Sequence, residues 1–315
     1  LLGQAEDDAT LRVICEDLPT RRARLALGIG AAGLVLNAGL DLALLSDLRG
    51  SLHLGIMGAA LGFVLTRIGV CVLAAGACWR LLGGAHDLSR GVRAALPGFL
   101  TTGGFAGLDS LVRNCGYAAL LTVLNALGAQ AFAGYGLAMT VIWTAILPVL
   151  ALAEGTNILV GRLCGPERRT QATRWAQELD QNLAVSAVLA LAVMGVLVAI
   201  GWWRWQDIAA FLNPHAAIVA ASYQVFLALA ASYVLFALSQ ILKSLFIGTG
   251  HTSNLFLVSL LINALLVLPY VLWVRGSGHA PRFDQTLRVF GAALALDFAL
   301  TAILAWRVRR DLVRR

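Results

Sequence analysis

Charge is what this sequence lacks most: Asp, Glu, Lys and Arg make up 13% of it, against roughly 25% in an average soluble domain. With 59% hydrophobic residues and a mean hydropathy of +0.79, such a chain is no ordinary soluble domain and belongs with polytopic helical membrane proteins. Cysteine is also sparse. The five present (Cys15, Cys71, Cys78, Cys115 and Cys164) form no CxxC pair and mostly sit in apolar runs, which speaks against a disulfide framework or a thiolate metal site. There is no HExxH, P-loop, nucleophile elbow or metal-ligand cluster, so neither enzymatic activity nor a metal or other cofactor is expected. The GxGxxG match at Gly28–Gly33 lies inside an apolar stretch rather than between a strand and a helix, and reads as close helix packing.

What the chain does have is long apolar runs. Crossing the ~30 Å hydrocarbon core takes about 20 helical residues. Candidate spans are 25–46, 55–79, 98–125, 132–160, 182–203, 217–238, 254–274 and 287–308. Residues 1–24 are too polar to cross, and a chain that opens on Leu1 with no signal peptide reads as a piece of a longer protein.

The basic residues set an orientation. With eight spans, one face collects 17 Lys and Arg, Lys243 and Arg162 among them, and the other collects 5; Arg67 and Arg113 inside the spans complete the 24. Positive charge favours the cytoplasm, so both ends are expected there, in a plasma (inner) membrane. The same asymmetry explains a net charge of +7 without nucleic acid. The expected partners are membrane lipid and a small organic solute, on a monomeric protein. Residues 1–24 are expected to be a cytoplasmic segment, 80–96 a basic surface linker, and 165–181 a polar helix outside the membrane. Trp202, Trp203 and Trp205 read as interfacial aromatics.

Residues 96–165 concentrate the unusual features. Asp109 and Arg113 are four apart in the third span, on one helix face, where each can neutralise the other. Asn114 and Tyr117 follow them. The fourth span carries Trp143, then Pro148, expected to break the helix, then Glu154. A broken helix beside buried charges is how transport proteins build mid-membrane sites. Elsewhere, Asn37 and Asp41 are four apart in the first span and could hold a sodium ion or a titratable proton, since an intramembrane carboxylate is a functional candidate by default. Asp297 in the last span and Arg67 in the second are costly if unpaired, and Gln240 is a further candidate for a cavity wall.

An internal repeat is visible. Asn37 is followed by GAAL at Gly58–Leu61, and Asn263 by GAAL at Gly291–Leu294. If spans one and two correspond to seven and eight, about four helices upstream would complete two six-helix lobes.

Leu111–Asn114, Trp143–Pro148, Ala151–Glu154 running into Asn157–Arg162, and Ser239–Lys243 followed by Gly248–Thr252 together resemble the multidrug and toxic compound extrusion (MATE) family of antiporters. The resemblance implies an all-α membrane protein whose eight transmembrane helices are part of a two-lobe 6+6 fold. Residues 25–79 would be the last two helices of the N-lobe, 80–96 the inter-lobe linker and 97–315 the C-lobe. It implies export of an organic, drug-like, often cationic compound in exchange for sodium or protons. Asn37 and Asp41 match the Asn and Asp of the cation site in one branch of the family, which also has a threonine where this chain has Gly62-Phe63. Asp109, Arg113 and Asp297 are further candidates for cation coupling, and Asn114, Tyr117, Trp143, Glu154 and Gln240 for the substrate cavity. Two other readings fit the residues less well: a lipid-linked oligosaccharide flippase of the same superfamily and a non-transporting structural subunit.

Overall fold

The computed structural model describes residues 28–44, 55–81, 85–163, 172–277 and 281–314, so the expected segment 1–24 lies outside the described residues. The described chain is helical almost throughout. We label α1 Gly28–Leu44, α2 Gly55–Leu81, α3 Ala85–Ala126, α4 Ala129–Leu163, α5 Ala172–Leu212 and α6 Ala216–Thr249. α7 is Ser253–Gly276 and α8 is Phe283–Arg314. The described part of each expected span falls on one of these helices; residues 25–27 and 45–46 of the first lie outside the described residues. Five of them, α4 to α8, contain candidate membrane spans by length and apolarity, and α1 is a shorter apolar helix.

The chain divides into two compact units, Leu1–Leu96 and Pro97–Arg315. In the first, α1 and α2 meet through small residues: a Cβ on Gly58 would sit 2.8 Å from the Leu44 carbonyl oxygen. In the second, α4 and α6 form the densest seam. Gly134 lies against Ala221 at one end and Gly248 against Val160 at the other, which lets the two backbones approach closely. Tyr135, Ile146, Val149, Val225, Leu229 and Ile241 fill the space between. Glycine also ends α6, where Gly250 takes φ 77° and returns its N–H to the Ile247 carbonyl, a left-handed cap.

The apolar surface of α5 is turned outward, with Val188, Val196, Trp203 and Phe211 all exposed. In water that face would be a liability. Against lipid it is what a spanning helix needs.

Several local expectations change. α4 runs unbroken through Pro148. The irregular turn lies in α7 instead, where Asn263–Val267 opens into a π-helix just before Pro269. Proline cannot donate to the carbonyl one turn back, and the wider π turn absorbs that loss. The linker is helical from Ala85, and the polar stretch from Ala172 forms the opening turns of α5 rather than a separate helix. Trp202 and Trp203 are exposed, but Trp205 is 2% exposed, stacked on Phe226 at 4.4 Å and donating to Ser222 Oγ at 3.0 Å. It is a core residue, because its indole N–H finds a partner inside the bundle.

Candidate functional site

The second unit encloses a cavity of about 370 Å³. α3 contributes Arg113, Asn114, Gly116 and Tyr117, α4 contributes Trp143, and α6 contributes Tyr233 and Phe236. α7 adds Ser259 and Asn263 at its π turn, and α8 adds Phe290 and Asp297. The volume falls in the range usual for small-molecule sites.

Its walls are aromatic. Tyr117 meets Phe290 edge-on at 6.2 Å, and Trp143 meets Phe236 likewise at 6.1 Å. Tyr233, on the same wall, donates to the Met139 sulfur at 3.2 Å.

Two ion pairs sit at this cavity. Asp109 is buried, bridged to Arg113 on its own helix and hydrogen-bonded by the Ser259 hydroxyl from α7. Asp297 is also buried, held by Lys243 Nζ at 2.7 and 2.8 Å and by Ser239 Oγ at 2.6 Å. Arg113 and Asp109 both lie within electrostatic reach of Lys243. Charges this far from water persist only when paired and hydrogen-bonded.

Lys243 is the chain's single lysine, and it corrects the charge count. The sixth span was expected to end at residue 238, which put Lys243 on the cytoplasmic surface. α6 in fact continues to Thr249, and Lys243 is 4% exposed. Removing it from that face leaves 16 basic residues there by the sequence count, against 5 on the other. Lys243 is the member of the buried charge cluster that the sequence pattern alone did not single out. An isolated lysine in a chain whose other cations are all arginine was the available signal.

The remaining candidates are dispersed. Asn114, Tyr117 and Trp143 line the cavity, whereas Glu154 and Gln240 do not. Glu154 and Arg162 are both exposed, and Gln240 is half-buried beside Ser239.

In the first unit, Asn37 Nδ2 donates to Asp41 Oδ2 at 3.1 Å. The single Thr66 O–H, from α2, has two acceptors in reach, Asn37 Oδ1 at 3.2 Å and the Gly62 carbonyl at 2.8 Å. A threonine thus reaches Asn37 from one turn beyond Gly62-Phe63. Arg67 does not engage Asp41; its guanidinium lies 4.9 Å over the Phe63 ring. Among the described residues no group of three or more His, Cys, Asp or Glu could hold a metal ion.

Gly116 limits the cavity on one side. A Cβ there would fall 1.7 Å from Asn263 Oδ1, and the Asn263 amide is anchored by a 2.8 Å bond to the Ser259 carbonyl. Gly116→Ala is expected to displace that amide and lower stability by about 1–3 kcal/mol, measured by thermal unfolding in detergent. Adding Asn263→Ala should recover most of the loss. An unchanged midpoint in Gly116→Ala would mean that the two helices do not approach this closely.

Long apolar helices around an aromatic cavity with paired charges are the arrangement from which membrane transport sites are built. Residues 106–273 match the sequence pattern of the MatE family, and the chain belongs to that family. Its fold is similar to that of a mutant form of the Vibrio cholerae MATE transporter VcmN, with a TM-score of 0.70 and 16% identity over 92% of this chain and 64% of the other. A MOP superfamily transporter from Pyrococcus furiosus aligns with a TM-score of 0.62 and 16% identity, over 89% of this chain and 62% of the other. An outward-facing multidrug resistance MATE family transporter aligns with a TM-score of 0.59 and 16% identity, over 90% and 61% respectively. At such identities the likeness concerns the fold alone, and this chain spans less than two thirds of each of these transporters. No curated protein matches the chain in sequence. The protein is an all-α integral membrane protein of a transporter family.

Proposed function

We propose that the protein acts in secondary active transport, exporting organic, drug-like compounds in exchange for sodium or protons by alternating access. The observation that carries this reading is the aromatic cavity of about 370 Å³ with two ion pairs whose carboxylates are buried. It offers apolar surface for an organic solute and charged groups whose pairing can change as the cavity opens to either side.

In the first unit, Asp41, Asn37 and Thr66 provide oxygen atoms within one hydrogen-bonded cluster. Oxygen donors suit a hard cation, and the Asp41 carboxylate can instead carry a proton. We assign ion coupling to this cluster, with Asp109, Arg113 and Asp297 as the charged framework of the cavity. Asn114, Tyr117 and Trp143 are assigned to the substrate.

The test is flux in liposomes reconstituted with the full chain. An imposed sodium or proton gradient should drive accumulation of a fluorescent aromatic compound, and an ionophore that collapses the gradient should abolish it. Absence of gradient-dependent flux for both cationic and anionic aromatic probes would remove the proposal.

Orientation follows from the basic residues: we place both ends of the chain in the cytoplasm, in a plasma (inner) membrane. With native cysteines replaced, a cysteine at Arg90 should react with membrane-impermeant reagents only from the cytoplasmic side. One at Ser277 should react only from outside. The reverse pattern would invert the topology.

A further inference from the structure

The charges at the cavity are displayed unequally. Asp109, Arg113, Lys243 and Asp297 sum to zero, but three of them are little exposed, Asp297 among them although it lines the cavity beside Arg113. The side chains of Asp109, Lys243 and Asp297 are 7%, 5% and 9% exposed, whereas that of Arg113 is 43% exposed. Both carboxylates are already engaged. Asp109 accepts from Arg113 and Ser259, and Asp297 accepts from Lys243 and Ser239. An entering cation would find no unengaged carboxylate among these residues and would face a guanidinium.

Arg113 itself has capacity to spare. Among the described residues it makes one hydrogen bond, from Nη2 to Asp109, which leaves most of its planar five-donor fork for a ligand. Such a fork matches a carboxylate or sulfonate edge to edge. Asn114 and Asn263 add amide groups to the same cavity.

The aromatic walls could attract a cation through their ring faces. Here, however, the rings meet close to perpendicular, at 74° for Tyr117–Phe290 and 79° for Trp143–Phe236. One ring of each pair therefore points its edge at the face of the other, so part of the attractive ring surface is already engaged within the pair. The cage accepts a flat ring, and the charged side chains decide the sign it prefers. With Arg113 the exposed charge, the balance goes to an anion.

We propose that this cavity takes planar organic anions, with an aromatic carboxylate or sulfonate group on Arg113 and its ring among Tyr117, Trp143, Phe236 and Phe290. The assignment rests on reading the cavity as the transported solute's site. It replaces the cationic solute that the sequence resemblance implied.

The experiment compares two probes of equal ring size, 2-naphthoate and 2-naphthyltrimethylammonium, by calorimetric titration of the purified full chain in detergent. Naphthoate should bind at least tenfold more tightly. Arg113→Gln should weaken naphthoate at least tenfold and leave the ammonium probe unchanged or tighter. Arg113→Lys keeps the charge but loses the fork, and should fall between; it decides the matter if Arg113→Gln does not fold. Trp143→Ala should weaken both probes. Tighter binding of the ammonium probe overturns the anion assignment, as does naphthoate affinity that is indifferent to both Arg113 variants. If the ammonium probe wins and its binding depends on Trp143, the transport reading of the cavity survives. If neither probe binds, both readings fall.

Discussion

Lys243→Met is expected to be the most destabilising single change in the second unit. The substitution keeps the length and apolar stem of the side chain but removes the ammonium that satisfies both Asp297 oxygens. Asp297, 7% exposed, would then keep Ser239 as its hydrogen-bond donor. Breaking a buried ion pair by removing one partner costs about 3–5 kcal/mol, because the other charge stays behind uncompensated. Asp297→Leu should be comparably harmful for the mirror-image reason, since it strands the Lys243 ammonium. The double variant Lys243→Met/Asp297→Leu removes both charges and should recover most of the stability. Thermal unfolding of the four proteins in detergent measures this directly. Single variants that unfold within about 0.5 kcal/mol of the parent, the spread usual for surface substitutions, would mean that the pair is solvated and not part of the core.

Asp41→Asn is expected to abolish gradient-driven transport while leaving the fold intact. Asparagine has nearly the same shape, and its carbonyl oxygen can still accept the Asn37 amide that now reaches Asp41 at 3.1 Å. What it lacks is the charge that would hold sodium or the site that would release a proton. Flux should fall at least tenfold in the liposome assay, with naphthoate binding to the second unit's cavity unchanged. Thr66→Val, which deletes the hydroxyl donated to Asn37, should reduce flux less, because it removes one neutral oxygen and no charge. Normal flux in Asp41→Asn together with lost flux in Asp109→Asn would move the coupling site to the second unit.

These two expectations draw on different parts of what the chain declares about itself. The Asn37–Asp41 pair was legible as sequence because a four-residue spacing fixes a shared helix face without reference to anything else. Asp109–Arg113 was legible for the same reason, and the structure brings the two together. Lys243–Asp297 was not, since its partners are 54 residues apart on different helices. Nothing in either local pattern carries that distance. Thr66 was overlooked on similar grounds: only the packing of α2 on α1 shows that a residue one turn beyond Gly62 reaches Asn37.

Composition, run length and helical spacing determined by themselves that this is a helical membrane protein, where the middles of its helices lie and which acidic residues stand inside them. Those properties follow from the cost of placing polar groups in hydrocarbon, which acts on each segment separately. Tertiary structure alone decided the rest: that α4 stays whole at Pro148 while α7 opens at Asn263, that Trp205 is core, and that Glu154 and Gln240 stand off the cavity. It also decided which charge the cavity displays. Exposure and pairing depend on which helices are neighbours and how far each side chain reaches across, and a lone sequence does not encode those distances in any local period.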